Sequence, residues 1–271
     1  MYSWLTILLP ILVVVQSHTV PPFSLKGSDS LRVHSHNGPL DEKSFNVLFS
    51  NIKALEIRLS NITNFSKDTL KSFTNLEFLR ITFSRIEEND DDLFKNCCPT
   101  LKTLEIKNWI GFNDKKLAGI GTLPLEKLEI LDQDIPELKP DILKGTKLKK
   151  LVLVRDNIQI IHPGAFNGLE ELKYMLFTGN KFKGIPKESL SPLKSLKVLE
   201  LVSNGIEKFT TDNLPLLPNL EEFLIIRDIL KEVDFTGIEK VAPKLKNVYL
   251  IGNVGVKIQK SNGPVVIHNW V

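Results

Sequence analysis

The chain has 271 residues, 42 of them leucine, with 35 Lys+Arg against 32 Asp+Glu and a formal net charge of +3. That length suits one large domain or two small ones, and ordinary charge content excludes a disordered tail. A near-balanced charge speaks against a nucleic-acid binder, two cysteines exclude a disulfide-scaffolded fold, and the apolar runs stop short of the 18 residues a membrane helix needs.

In chain order, the first element is an address. Leu5–Val15 is an uncharged apolar run, too short to span a bilayer and right for the core of a secretory signal. Val15 and Ser17 fit the −3 and −1 positions, which places cleavage after Ser17 and starts a secreted, extracellular chain at His18. Residues 18–51 read as an N-terminal cap and an atypical first coil, with Ser28, Leu31 and Val33 in phase with the coils C-terminal to them.

From Ile52 onward a single unit repeats. The pattern L-x-x-L-x-L-x-x-(polar)-x-L begins at Ile52, Leu76, Leu101, Leu125, Leu148, Leu172, Leu196, Leu220 and Leu245, at spacings of 24, 25, 24, 23, 24, 24, 24 and 25. The repeats thus occupy 52–244, and residues 245–271 read as the last repeat and a C-terminal cap formed by Gly263-Pro264 and Val265–Ile267. The fourth and sixth positions (Leu55/Ile57 through Val248/Leu250) alternate with their neighbours, as a strand with one buried face must. One such strand cannot hide its apolar face alone; stacked parallel coils bury a continuous core. Ile161, Phe166, Ile185, Leu190, Phe209 and Leu214 read as core fillers on the convex side.

The unit resembles the 24-residue extracellular type of leucine-rich repeat, clearest in 148–171, and the resemblance runs from residue 28 to the C-terminus. It implies an α/β solenoid: a horseshoe with a parallel sheet on its concave face and an irregular or short-helical convex side. The chain looks like secreted arthropod or venom proteins and Toll-like ectodomains of this family, but without their Cys-rich caps. In the family the ninth position holds an asparagine that bonds to the turn backbone. Asn180, Asn204 and Asn253 fit, Asp156, Asp228, Gln133, Ser60 and Ser84 substitute, and Trp109 does not, so the third unit should turn differently.

Chemistry is sparse. His34 and His36 alternate and share one strand face in this reading, but no third ligand accompanies them, and no metal or cofactor is expected. Glu87-Glu88 and Asp90-Asp91-Asp92 read as a solvated convex loop. With no nucleophile elbow, zinc motif or phosphate loop, the expectation is a non-enzyme. Cys97 falls on a core position, while Cys98 points elsewhere, free or paired with another chain; a bond between the neighbours would be strained. Asn61-Ile62-Thr63 and Asn64-Phe65-Ser66 are glycosylation acceptors.

Positions three, five and seven of each unit should face the concave solvent. Units one to three present charges of both signs; units five to nine present Val152, Val154, Tyr174, Leu176, Val198, Val202, Leu224, Ile226, Tyr249 and Ile251. An exposed apolar stripe of this extent marks an interaction site, although β-propensity alone also favours such residues on open strands. The expected function is a secreted protein-binding module, a soluble modulator or decoy for a protein ligand or a receptor ectodomain. The alternatives are a matrix or adhesion component that self-associates, a homodimer being one such assembly, and a non-catalytic subunit of a secreted enzyme.

Overall fold

The computed structural model describes the backbone of 23–25 and residues 29–87, 92–259 and 263–270 in full. The signal segment and the acidic residues Glu88, Asp90 and Asp91 lie outside the described residues. Twelve strands form the main ribbon: β1 (Phe23–Leu25), β2 (Ser30–His34), β3 (Ala54–Arg58), β4 (Phe78–Ile86), β5 (Thr103–Ile110), β6 (Lys127–Leu131), β7 (Lys150–Val154), β8 (Tyr174–Thr178), β9 (Val198–Val202), β10 (Glu222–Ile226), β11 (Asn247–Tyr249) and β12 (Val266–His268). From β2 onward every neighbour is parallel and in register, so that Leu151 sits beside Met175 and Leu153 beside Phe177. β1 alone runs antiparallel, pairing with β2 and covering the N-terminal edge.

The core follows from the alternation. Both inward residues of each repeat, from Leu55 and Ile57 to Val248 and Leu250, are buried, and they join one continuous cluster with the convex fillers. The convex side is built from short helices, including Lys67–Ser72, Asp114–Ile120 and Lys187–Leu190. This is a leucine-rich repeat solenoid.

Each coil makes the same kind of turn at the end of its concave stretch. Position eight takes a left-handed backbone in every coil: Ser35, Leu59, Phe83, Asn108, Asp132, Arg155, Gly179, Ser203, Arg227 and Gly252 all have φ between 48° and 70°. The turn carries the chain off the concave face regardless of the side chain, at a cost of about 1–2 kcal/mol where a bulky residue occupies it.

The ninth-position residues bond the coils to one another. Asn180 Oδ1 accepts from the backbone N–H of Asp156 (3.1 Å), and its Nδ2 donates to Leu153 O (3.1 Å). Asn204 does the same for Asn180 N–H (3.2 Å) and Phe177 O (3.1 Å). Asp228 accepts from Asn204 N–H, Asp156 from Gln133 N–H, Ser84 from Ser60 N–H and Ser60 from His36 N–H. The ladder breaks at Trp109, as its sequence position implies. There β4 and β5 stay paired beyond the usual turn, Ser84 beside Trp109, and the buried indole packs edge-on against Phe94.

Two sequence expectations fail here. Cys98 is neither free nor directed elsewhere: it is bonded to Cys97, and both are buried. The short turn after Phe94 folds both side chains into the core, so the pair behaves as a compact apolar filler. His34 and His36 do not share a face, because the left-handed Ser35 between them ends the strand. His34 Nδ1 meets Ser35 Oγ (2.9 Å), whereas His36 Nε2 meets Pro39 O (3.1 Å) and its ring lies against Phe45.

Candidate protein-binding face

The concave face divides in two. Its N-terminal half is a rail of alternating charge along the fifth and third positions. Glu56 lies between Arg32 (3.2 Å) and Arg80 (3.5 Å), and Glu105 lies between Arg80 (2.6 Å) and Lys127 (2.7 Å). Glu129 then joins Lys127 (3.1 Å) to Lys150 (3.0 Å). Burial pushes the Glu105 carboxyl up, but hydrogen bonds from Lys127 and Arg80 outweigh it and hold the group below its usual range. Cations at these positions are therefore engaged by neighbouring coils rather than presented to a polyanion.

The rail ends at Tyr174, whose ring lies under the Lys150 ammonium at 5.4 Å and whose hydroxyl hydrogen-bonds to Glu200. Glu200 is buried among apolar neighbours, and that burial raises its carboxyl pKa despite the tyrosine bond. Beyond it the surface is mostly apolar, interrupted by Glu222 and Asn247 on the third-position row. Tyr174, Leu176, Val198, Val202, Ile226, Tyr249 and Ile251 are half-buried on the concave face, as is Val154 at the end of β7, the seventh position of its repeat.

Val152 and Leu224 do not reach that surface: they are 7% and 5% exposed. Strands less than 5 Å apart crowd the middle row on a concave sheet, and the flanking rows cover it. These two residues form the floor of the stripe, not its contact layer.

The sequence reading also missed the strongest contact candidate. Tyr249 stacks on His268 at 4.7 Å, and Trp270 lies 5.6 Å from His268 and 6.4 Å from Tyr249. Trp270 is 57% exposed, more than any side chain of the stripe itself. The alternation Val266, His268, Trp270 was the available signal, hidden because β12 pairs with β11 at an offset of only 19 residues. A second group of exposed apolar residues is Leu59 just after β3, Phe83 within β4 and Ile110 at the end of β5.

The two acceptor asparagines differ. Asn61 is half-buried, its Nδ2 donates to Asn37 Oδ1 (3.1 Å), and its Oδ1 is enclosed. Asn64 is exposed in a left-handed turn. Among the described residues, no helix is long and apolar enough to cross a membrane, and no group of three metal-ligating side chains occurs.

Comparison with known proteins agrees with this architecture. Residues 146–206 match the family pattern described as leucine rich repeat. The chain is 28% identical to Toll-like receptor 4 of Bos taurus over 165 residues, 56% of this chain and 19% of that protein. It is 30% identical to Toll-like receptor 4 of Boselaphus tragocamelus over 139 residues, 47% of this chain and 16% of that protein. The chain thus spans less than a fifth of the length of the curated relatives it matches. Among solved structures, the TLR13–ssRNA13 complex superposes with a TM-score of 0.63 at 18% identity, covering 86% of this chain and 39% of that one. The Toll–Spatzle complex of Drosophila gives 0.63 at 10% identity, covering 93% and 44%. The chain is a leucine-rich repeat solenoid, similar over about half of its length to Toll-like receptor 4.

Proposed function

We propose that the protein is a secreted, non-enzymatic binding module that docks a protein ligand or receptor ectodomain on the C-terminal half of its concave face. The observation that carries this reading is the aromatic group Tyr249–His268–Trp270, which continues the half-buried stripe of Tyr174, Leu176, Val198, Val202, Ile226 and Ile251. An exposed tryptophan beside partly covered aliphatic ground is the composition of an interface anchor. The internally neutralised rail supports a protein partner over a nucleic acid. The similarity to Toll-like receptors supports an immune or signalling setting, in which a soluble chain would act as a modulator or decoy.

The test is paired affinity capture from extracellular fluid, followed by titration of the captured partner. Ile226→Glu and Trp270→Ala should each weaken binding at least about tenfold without changing the fold, and Arg58→Glu on the charged half should leave it within about twofold. Loss with Arg58→Glu alone would move the site to the other half. Concentration-dependent mass abolished by Ile226→Glu would instead indicate self-association.

Secretion also carries a modification. Asn64 should bear a glycan and Asn61 should not, since only Asn64 has a free, exposed amide. Asn64→Gln should remove the mass shift released by a glycosidase, and Asn61→Gln should not.

A further inference from the structure

The convex side holds a feature that concave docking does not use. Short strands run along it in two separate groups. Glu137–Leu138 pairs with Ile160–Ile161, and Lys208–Thr210, Glu232–Asp234 and Lys257–Gln259 form a second ladder. The coil between them, residues 172–195, joins neither group. Its sequence explains why. Pro186 occupies the position at which His162, one coil earlier, donates its N–H to Leu138 O (3.0 Å), and proline has no such donor. Lys183 turns with φ 58°, and a Cβ added to Gly184 would meet nothing within 4 Å. The coil swings outward, and Ile185, a core filler by sequence, is only half-buried.

Beneath this gap lies a cavity of about 130 Å³. Its walls are Leu190, Leu199, Leu201, Phe209, Leu214 and Phe223, each at most 5% exposed. Its mouth is flanked by Lys183 and Lys208, both exposed, the second 3.2 Å from Glu232. Apolar cavities of about 150 Å³ lined by Leu, Ile and Phe stay dry and admit a benzene-sized guest. A chamber of that kind with two lysines in its lining, one of them paired with Glu232, suits a molecule with an apolar tail and an anionic head that competes for that ammonium.

We propose that this cavity binds small amphipathic carboxylic acids, taking an aliphatic or aromatic tail of about five to seven carbons inside and setting the carboxylate between Lys183 and Lys208. The site lies across the core from the concave stripe and is independent of protein docking there.

Hexanoate and 1-hexanol are the probes, titrated into the full secreted chain and read by heteronuclear NMR at the lining methyl groups. Both should shift the resonances of Leu199, Leu201 and Leu214 saturably. Lys183→Ala with Lys208→Ala should raise the hexanoate Kd by about tenfold and leave the hexanol Kd within about twofold, the sum of two exposed ion pairs. Leu190→Phe, which fills the chamber, should abolish both. Because that variant changes the core, the two rim lysines provide the control that leaves packing intact. Absence of saturable shifts with either probe overturns the site. Hexanol binding without preference for hexanoate, or hexanoate binding unchanged in the double lysine variant, overturns the proposed ligand class.

Discussion

Phe177→Ala should destabilise the solenoid by about 3–5 kcal/mol, as deletion of a buried aromatic ring does. Phe177 is fully buried on β8, at the sixth position of its repeat, its ring 5.3 Å from Phe182 and 6.1 Å from Phe166. Its carbonyl also receives the Asn204 side chain (3.1 Å), so collapse around the missing ring would disturb the bonding between two coils. In a solenoid each coil is stabilised by its neighbours, and a loss in the middle weakens both directions. Urea unfolding should show a lower midpoint at unchanged slope. Thr178→Ala, one residue on and facing outward, should shift the midpoint little; equal effects of the two would contradict the inward assignment.

Asp156→Asn should stabilise the protein, and more so as pH rises. Asp156 is fully buried, its Oδ1 accepts from Gln133 N–H (2.9 Å), and its Oδ2 has no partner. At the same point in the next coil, the Asn180 amide donates to a carbonyl of the preceding coil, which a carboxylate cannot do. Burial, opposed by the bond from Gln133, pushes the Asp156 carboxyl from 3.8 up to about 8. The folded state therefore keeps a proton that the unfolded chain has lost. The stabilisation from that proton is complete below about pH 4, declines as pH rises, and is gone above about pH 8. Asparagine does not titrate, so its advantage should grow by about 1.4 kcal/mol for each pH unit through that window, several kcal/mol in all by pH 8. Asp228 is shifted in the same direction by burial, and its asparagine variant should follow the same sign. A difference between wild type and Asp156→Asn that stays constant from pH 4 to 8 would contradict this account.

The solenoid was readable in advance because burial recurs in it with a fixed period. Leu151 and Leu153 return as Met175 and Phe177 and again as Leu199 and Leu201, and only stacked coils make that spacing useful. What escaped depends on neighbours a whole coil away. Glu56, Arg80 and Glu105 look like scattered charges along the chain, and only the parallel register lines them into a rail. The left-handed eighth position is filled by Leu59, Phe83 and Arg227 as readily as by Gly179, so residue type conceals a turn that packing imposes. Val152 and Leu224 have the composition of a contact surface, but curvature places them beneath one. The cavity belongs with these: Gly184 and Pro186 were visible, but their effect required the convex strands on either side.

The C-terminal half of the concave ribbon is the proposed seat of the partner. Amide hydrogen exchange on the free and the partner-bound chain tests it most directly. Added protection is expected in residues 174–178, 198–202, 222–226 and 247–251 and around Trp270, with β3 and β4 unchanged; protection confined to the charged rail or to the convex side would rule out docking on this half.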